Sequence, residues 1–561
     1  MTPATHEAID HKPGQIDLVI VTMVWISFLA YSLISAPIPA VNEPHYLCKA
    51  KHYWQPEWCA GDFFLESTNA HTVFYATVGV LTQWCSLEQT ALIGRIVALL
   101  ILSLGWCNLL LTLHSERWFP LKVCVLFLFF QACGSFSGEW LVGGVEGKVF
   151  GYGFLFAALG EVNRGRVISA GAFTGLAISF HPVIGIWGLL AFSGTLLLEI
   201  APAMIRVISR KSASETAEQP VEVGLAGQIP VAHGVYGSLL LLACALPGLI
   251  PVYRLLSEAV PEQTKAAANF IQVHYRLAHH LDPRTFLLRA YLCYLGLLVL
   301  WIALARRGPS HLAARDKRGQ TLSGQAIFES NRLPSKGSAP SCHGLLAERR
   351  FNRLVGFSIL FAVSGVLIGW SSLPQRSLLL KFYPFRVADL LVPLAVAMGL
   401  ARIWPSSGGT MLSRAGYASL FVIALVRVHF VSESNRYSAE QTADWISACH
   451  WIDEHLAKDV LVFAPHDGRA FKWYAQRAEY VSYKDCPQDA GGIVEWNRRL
   501  QFLQKWFNAH FDDEKYTVEE LRDFRKQTGI THILTDRIGP VELDPVFGND
   551  TYDVYDLTTL D

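Results

Sequence analysis

Through residue 430 the chain alternates between long apolar runs and short polar segments, and the runs have the length that crosses a bilayer. They lie at 17–35, 91–113, 121–133, 141–160, 167–180, 183–200, 232–253, 284–305, 352–370, 387–403 and 415–430, about eleven spans. Inside hydrocarbon every backbone N–H and C=O must be satisfied within the protein, so each run is predicted as a helix. The first run lacks a small-residue cleavage site and leads into a polar, aromatic loop, so it is expected to be a retained helix rather than a signal peptide. The stretch 71–86 is shorter and carries Thr82 and Gln83, which suits an interfacial or re-entrant helix.

Beyond 430 the pattern changes to alternating helical and strand-like stretches. A helix is expected at 439–456, a buried strand at 459–463, and the turn His466-Asp467-Gly468-Arg469 after it. A helix with Trp473, Tyr474 and Arg477 and strands at 479–483 and 531–535 complete a small α/β domain without a nucleotide-binding glycine pattern. The expected fold class is an α-helical polytopic membrane protein with a small C-terminal α/β soluble domain. Its parts are a multi-pass domain at 1–430, containing a first extracytoplasmic loop at 36–70, and an extracytoplasmic domain at 431–561.

Composition agrees: 52% of the 561 residues are hydrophobic and 17% charged, as a membrane core requires. The 47 Lys and Arg balance 47 Asp and Glu, so no basic surface is available and nucleic acid is excluded as an expected partner. The eleven cysteines form no C-x-x-C pair, and Cys107, Cys124, Cys133, Cys244 and Cys293 sit in apolar runs as small hydrophobes. Cys48 and Cys59 share one polar loop, where an oxidising compartment would permit a disulfide.

The most basic loop, 306–353, contains Arg306, Arg307, Arg315, Lys317, Arg318, Arg349 and Arg350 and is assigned to the cytoplasm. Counting spans from it puts the N-terminus in the cytoplasm and the C-terminal domain outside. The polar, aperiodic segments 211–227 and 310–341 become flexible cytoplasmic loops. The outer segments are then 36–70, 134–140, the turn at His181 and Pro182, 254–283 and 371–386, and they hold much of the ionisable chemistry.

Ordinary solvated loops would also be polar, so position decides which groups matter. Glu43 and Asp62 are the acids of the first loop, where a carboxylate at the bundle mouth can deprotonate a hydroxyl or bind a divalent cation; His45 lies beside Glu43. Glu146, Lys148, His181 and Arg386 fall at or inside span ends, where an ionisable side chain is expensive. On a helix, Glu146 and Lys148 would point to different faces. Arg376, Lys381 and Arg386 suit a lipid phosphate, since a guanidinium fork matches phosphate oxygens, or else snorkel to anionic headgroups. Arg276, His279 and His280 belong to the loop 254–283, and the two histidines alone make no metal site. Gly143, Gly144, Gly147, Gly151 and Gly153 leave a smooth helix surface for close packing.

One span, an outer loop opening Asn42-Glu43-Pro44-His45-Tyr46, many further spans and an outer C-terminal domain resemble the plan of the C-type membrane glycosyltransferases, which protein O-mannosyltransferases and oligosaccharyltransferases share. The resemblance implies a polyprenyl-phosphate sugar donor that enters from the membrane lipid, and a first-loop acid that is catalytic or binds a divalent metal. By position that acid is Glu43, with Asp62 second. Where those families often carry adjacent acids, this chain has Asn42 before Glu43. The strings 143–152 and 175–182 resemble an uncharacterised bacterial multi-pass family over most of the chain, which implies a shared architecture and no particular reaction. Two other classes stay open: a transporter using Glu146, Lys148 and His181, and a non-catalytic scaffold.

Overall fold

A computed structural model describes residues 17–40, 42–68, 70–212, 230–307, 342–404, 411–431, 438–465, 470–510, 515–536 and 541–560. The turn His466-Asp467-Gly468-Arg469 and the polar segments expected at 211–227 and 310–341, apart from the helix end at 211–212, lie outside these residues.

All eleven expected spans are helices. They are α1 (Leu18–Ser35), α4 (Leu87–Leu113), α5 (Phe119–Cys133), α6 (Gly147–Asn163), α7 (Val167–Phe180), α8 (Pro182–Ser212), α9 (Val231–Leu256), α11 (Leu288–Arg306), α12 (Cys342–Trp370), α14 (Arg386–Ile403) and α15 (Met411–Val431). Between them lie α2 (Glu43–Trp54) in the first loop, α3 (Thr72–Thr77) after it, α10 (Glu262–Phe270), and the short α13 (Arg376–Leu380). Seven of the eleven (α1, α4, α8, α9, α11, α12 and α15) are long and apolar enough to cross a membrane among the described residues, and the chain is a multi-pass membrane protein. The apolar α5 and α7 are shorter, and α6 and α14 are largely buried in the bundle. The expected 71–86 piece is α3 followed by a 3-10 turn at Val78–Gln83.

Exposure separates lipid-facing helices from the core. Leu242 and Leu246 on α9, Leu292 and Leu295 on α11, and Val422 and Ile423 on α15 are all exposed, an arrangement that hydrocarbon favours and water does not. By contrast α6 and α14 bury most of their residues. Glycine makes the tightest crossing possible: a methyl group on Gly105 of α4 would stand 2.0 Å from the Gly153 carbonyl oxygen of α6. Of the five glycines expected on a helix surface, Gly143 and Gly144 instead precede α6, which begins at Gly147.

The C-terminal part contains α16 (Ala439–His455), β1 (Leu461–Phe463), α17 (Phe471–Ala475), β2 (Ala478–Glu479), α18 (Ala490–Ala509), α19 (Val518–Thr528), β3 (His532–Thr535), β4 (Phe547–Gly548) and β5 (Asp553–Asp556). Strand order is β2-β1-β3-β5-β4, with β2, β1 and β3 parallel and β5 and β4 antiparallel. Capping boxes start α16 (Ser438 with Gln441) and α19 (Thr517 with Glu520), fixing both helix entries. Leu503, Trp506 and Phe524 pack under one face of the sheet, and Trp445, Ile452 and Tyr552 under the other. Trp473 of α17 joins the core of the helical bundle, so the α/β part is seated on the first loop.

Candidate active-site cavity

The first loop turns into α2 at Glu43, where Pro44 occupies a first-turn position whose N–H would have no helical partner. One face of α2 points inward and buries Glu43 and Lys49 completely or nearly so. Glu43 takes two bonds from Arg95 of α4, Nε to Oε1 at 2.6 Å and Nη2 to Oε2 at 2.7 Å. Its oxygens also accept the backbone N–H groups of Ala40 and Val145, each at 2.8 Å. Gly144 allows this approach, since a methyl there would lie 3.1 Å from the Glu43 carboxyl carbon. The other side of Arg95 donates to the Ala36 carbonyl at 2.6 Å, so the clamp ties the exit of α1, α2, α4 and the 143–145 turn together. Glu43, expected as a catalytic acid, thus spends its oxygens on a structural clamp and does not line the cavity described below.

Asp62 departs from expectation in the same way. Its Oδ1 accepts the N–H groups of Phe64 and Leu65 at 3.0 and 2.8 Å, and Oδ2 accepts that of Glu479 in β2 at 3.0 Å. It fastens the first loop to the α/β domain. Beside it the buried ammonium of Lys472 lies 2.6 Å from Asp485, 2.8 Å from Glu479 and 3.5 Å from Asp62. Burial disfavours the Lys472 charge, but Asp485, Asp62 and Glu479 overcome it and hold the pKa well above the usual lysine range. Burial pushes Glu479 up to about 7. Burial acts on Asp485 in the same upward sense, yet Lys472 and His45 hold it well below the usual carboxylate range. The Nδ1 of His45 meets Asp485 Oδ1 at 2.9 Å. Burial lowers the His45 pKa, so the ring is neutral at neutral pH and donates its Nδ1 proton to Asp485.

A cavity of about 1140 Å³ opens between the bundle and the α/β domain. Its inner wall gathers Asn42, Glu139, Glu146, Lys148, His181 and Arg386 from four separate parts of the chain. Glu146 is the extended residue just before α6 rather than part of the helix. The opposite-face expectation therefore fails, and Lys148 Nζ reaches Glu146 Oε2 at 3.4 Å while lying 3.5 Å from the centre of the Trp140 ring. Asn42 donates to the other oxygen of Glu146. Arg386 has its Nε 2.9 Å from Glu139 Oε2, its Nη1 3.2 Å from His181 Nε2 and its guanidinium 3.9 Å from the Tyr383 ring centre.

The outer wall holds cations of a different kind. Lys381 bonds only the amide oxygen of Asn269, at 2.9 Å, and Arg276 bonds the Lys484 carbonyl at 2.7 Å; among the described residues neither meets a carboxylate. Burial lowers the Lys381 pKa. Beside Lys381 the cavity is rimmed by Ile186 and Leu190 of α8, Leu256 of α9, Leu378 and Leu379 of α13, and Phe382, all exposed and apolar. Arg376, expected near this place, makes one long contact to the Ser371 carbonyl at 3.5 Å and is absent from the lining. No group of three His, Cys, Asp or Glu side chains able to hold a metal occurs among the described residues, and Cys48 and Cys59 are separate buried thiols.

A family model described as a domain of unknown function (DUF6798) matches residues 443–503, from α16 into α18. No curated protein matches the chain. Among solved structures, the fold is similar to that of ArnT from Cupriavidus metallidurans bound to undecaprenyl phosphate, at 12% identity and a TM-score of 0.46, covering 96% of this chain and 97% of that one. It is also similar to the Archaeoglobus fulgidus oligosaccharyltransferase in complex with zinc and sulfate, at 11% identity and a TM-score of 0.42, covering 92% and 68%. At these identities they are likenesses of chain course and assign no residue a role.

Three working residues escaped the reading of the sequence. Arg95 and Asp389 each carried a signal, a charge inside an apolar span. Asp389 accepts the N–H groups of Phe136, Ser137 and Glu139 at 2.6, 2.8 and 3.1 Å, and so sets the loop that aims Glu139 at Arg386. Asp485 carried none, because its partner His45 is 440 positions away.

Proposed function

We propose that this protein is a membrane glycosyltransferase that moves a sugar from a polyprenyl-phosphate carrier to an acceptor on the extracytoplasmic face. The observation that carries the reading is the two-sided character of the cavity: its lining joins Lys381 and Arg276, which meet no carboxylate among the described residues, to exposed apolar side chains of α8, α9 and α13. A lipid phosphate has matching parts. Its phosphate oxygens suit Lys381 and Arg276, and its prenyl tail suits the exposed apolar rim formed by α8, α9 and α13.

In this reading Arg386 is less a phosphate ligand than a sugar-orienting group, since Glu139 already offsets its charge. Together Arg386, Glu139, Glu146 and Lys148 offer donors and acceptors to sugar hydroxyls, and the Trp140 ring supplies an apolar wall. Departure of the carrier phosphate leaves negative charge on oxygen, which Lys381 and Arg276 stabilise in place. Glu43 and Asp62 serve by holding the walls. The cavity is lined by residues of the first loop and of the α/β domain, both of which the positive-inside count places outside.

The test compares lipid-linked sugars and surface glycans by mass spectrometry in cells with the intact chain, with Lys381→Ala, or with none. The expected result is a glycan that disappears and a carrier-linked sugar that accumulates in cells lacking the chain, with both changes partial in the Lys381→Ala strain. Unchanged glycans in cells lacking the chain would overturn the reading.

A further inference from the structure

We propose that His45 is the general base of the transfer, held in its working tautomer by Asp485 of the α/β domain, so that the active site is complete only when that domain is seated on the first loop. The proposal rests on the transferase reading above and adds to it the group that takes the acceptor's proton and the source of that group's orientation.

Geometry supplies the argument. Of the acids expected in the first loop, Glu43 and Asp62 do not line the cavity, whereas His45, two residues beyond Glu43 and so on roughly the opposite face of α2, does. Its two ring nitrogens have different surroundings. Nδ1 is committed to Asp485 at 2.9 Å, while Nε2 makes no hydrogen bond among the described residues; the ring is 18% exposed, and His45 lines both the large cavity and a smaller pocket it shares with Lys472 and Asp485. An imidazole whose Nδ1–H is donated to a carboxylate presents a lone pair on Nε2, the form a base needs. The ring cannot swing freely, because it lies against Phe64 with centroids 4.4 Å apart and beside Tyr46. Asp485 is fixed in turn by Lys472 at 2.6 Å. The chain of support thus runs from α17 through Asp485 to His45, across the interface between the two parts of the molecule.

The step balances without a metal or redox partner. The acceptor O–H gives its proton to His45 Nε2 as its oxygen forms a bond to the anomeric carbon of the donor sugar. The bond from that carbon to the carrier phosphate oxygen breaks, and its electron pair leaves with the polyprenyl phosphate. The imidazolium so formed stands against the Asp485 carboxylate until its proton passes to water. Asp485 is a positioning residue, since it touches His45 and not the substrate.

Charges around the ring set the pH behaviour. Burial opposes the imidazolium most, Asp485 favours it, Arg276 and Lys49 oppose it, and Lys472, Glu479 and His71 lie nearby. The net direction is downward from the ordinary histidine value, so the base is unprotonated at neutral pH and lost only on acidification.

The experiment uses the full chain in washed membranes supplied with the cell's own lipid-linked donor fraction, with membrane levels matched. His45→Gln is expected to lower transfer by about 100-fold or more, while binding of undecaprenyl phosphate, read by quenching of tryptophan fluorescence, stays within about twofold of the intact chain. Added imidazole is expected to restore part of the activity of His45→Ala, where a ring-sized space opens onto the cavity. Asp485→Asn should lower the rate and move the acid limb of the pH profile to lower pH, since the imidazolium loses its counter-charge. Transfer by His45→Gln within about threefold of the intact chain, or His45→Ala that binds the lipid phosphate yet gains nothing from imidazole, overturns the proposal. Either result leaves the transferase reading standing, which fails instead if deletion of the chain changes no glycan.

Discussion

Two buried ionic clusters flank α2, and their difference separates scaffold from chemistry. On the inner side Arg95 donates two bonds to Glu43, and the pair's other contacts go to main-chain groups and the Ser32 hydroxyl, so the pair is closed. On the outer side Lys472, Asp62, Glu479, Asp485 and His45 form a cluster that ends in an imidazole edge on the cavity. Both use carboxylates in the same loop, yet only the open cluster can meet a substrate. A buried acid is therefore a poor guide to catalysis until its partners have been counted.

The largest expected effect breaks the closed cluster. Glu43→Gln leaves the Arg95 guanidinium buried without a counter-charge, at a cost of about 3–5 kcal/mol. The protein should fail to accumulate in membranes, or unfold in detergent at markedly lower temperature. Because the cost is that of an uncompensated charge, the double variant Glu43→Leu with Arg95→Leu should be less destabilised than either single change. A double variant as unstable as Glu43→Gln would mean that the clamp contributes through shape and not through charge balance.

Next comes the open cluster. Lys472→Met strips three carboxylates of their shared cation, at about 3 kcal/mol, a loss that should unseat the α/β domain and expose the 460–490 region to limited proteolysis while the bundle stays folded. Acid should act on the same interface. The Asp485 pKa is depressed below its unfolded value of 3.8, so its contribution is present above 3.8 and lost as pH falls through the lower folded value. Hydrogen exchange at the contact between the first loop and the α/β domain should accordingly rise in strong acid.

A smaller effect sharpens the distinction between positioning and contact. Asp389→Asn keeps the size of the side chain but replaces one acceptor oxygen with a donor facing backbone N–H groups, costing about 1–3 kcal/mol. Transfer should fall further than binding of undecaprenyl phosphate, because the Glu139–Arg386 pair is misplaced while Lys381 is not. The smallest effect should come from Arg376→Ala, within about 0.5 kcal/mol in stability and with lipid-phosphate affinity unchanged. Lys381→Ala should weaken that affinity by about tenfold, the scale of one lost charge-assisted contact.

Much of the fold was legible because hydrocarbon is an unforgiving solvent. Runs at 17–35, 91–113 and 232–253 had to be helices, and α1, α4 and α9 stand where they were expected. In the α/β domain the strands at 461–463 and 532–535 announced themselves by buried β-branched and aromatic residues. The antiparallel β4 and β5, two and four residues long, did not, since so short a strand has no readable period.

The site was legible only as an inventory. Sequence alone determined that Asn42, His45, Glu146, Lys148, His181, Lys381 and Arg386 are ionisable or polar groups near the ends of apolar runs, because the energetic cost of placing them there is local. Their sorting into closed pairs and open positions was decided by tertiary structure. Glu43 meets an arginine 52 positions away and His45 an aspartate 440 positions away, and an arrangement of partners so distant is set by how helices and domain pack, not by any pattern along the chain.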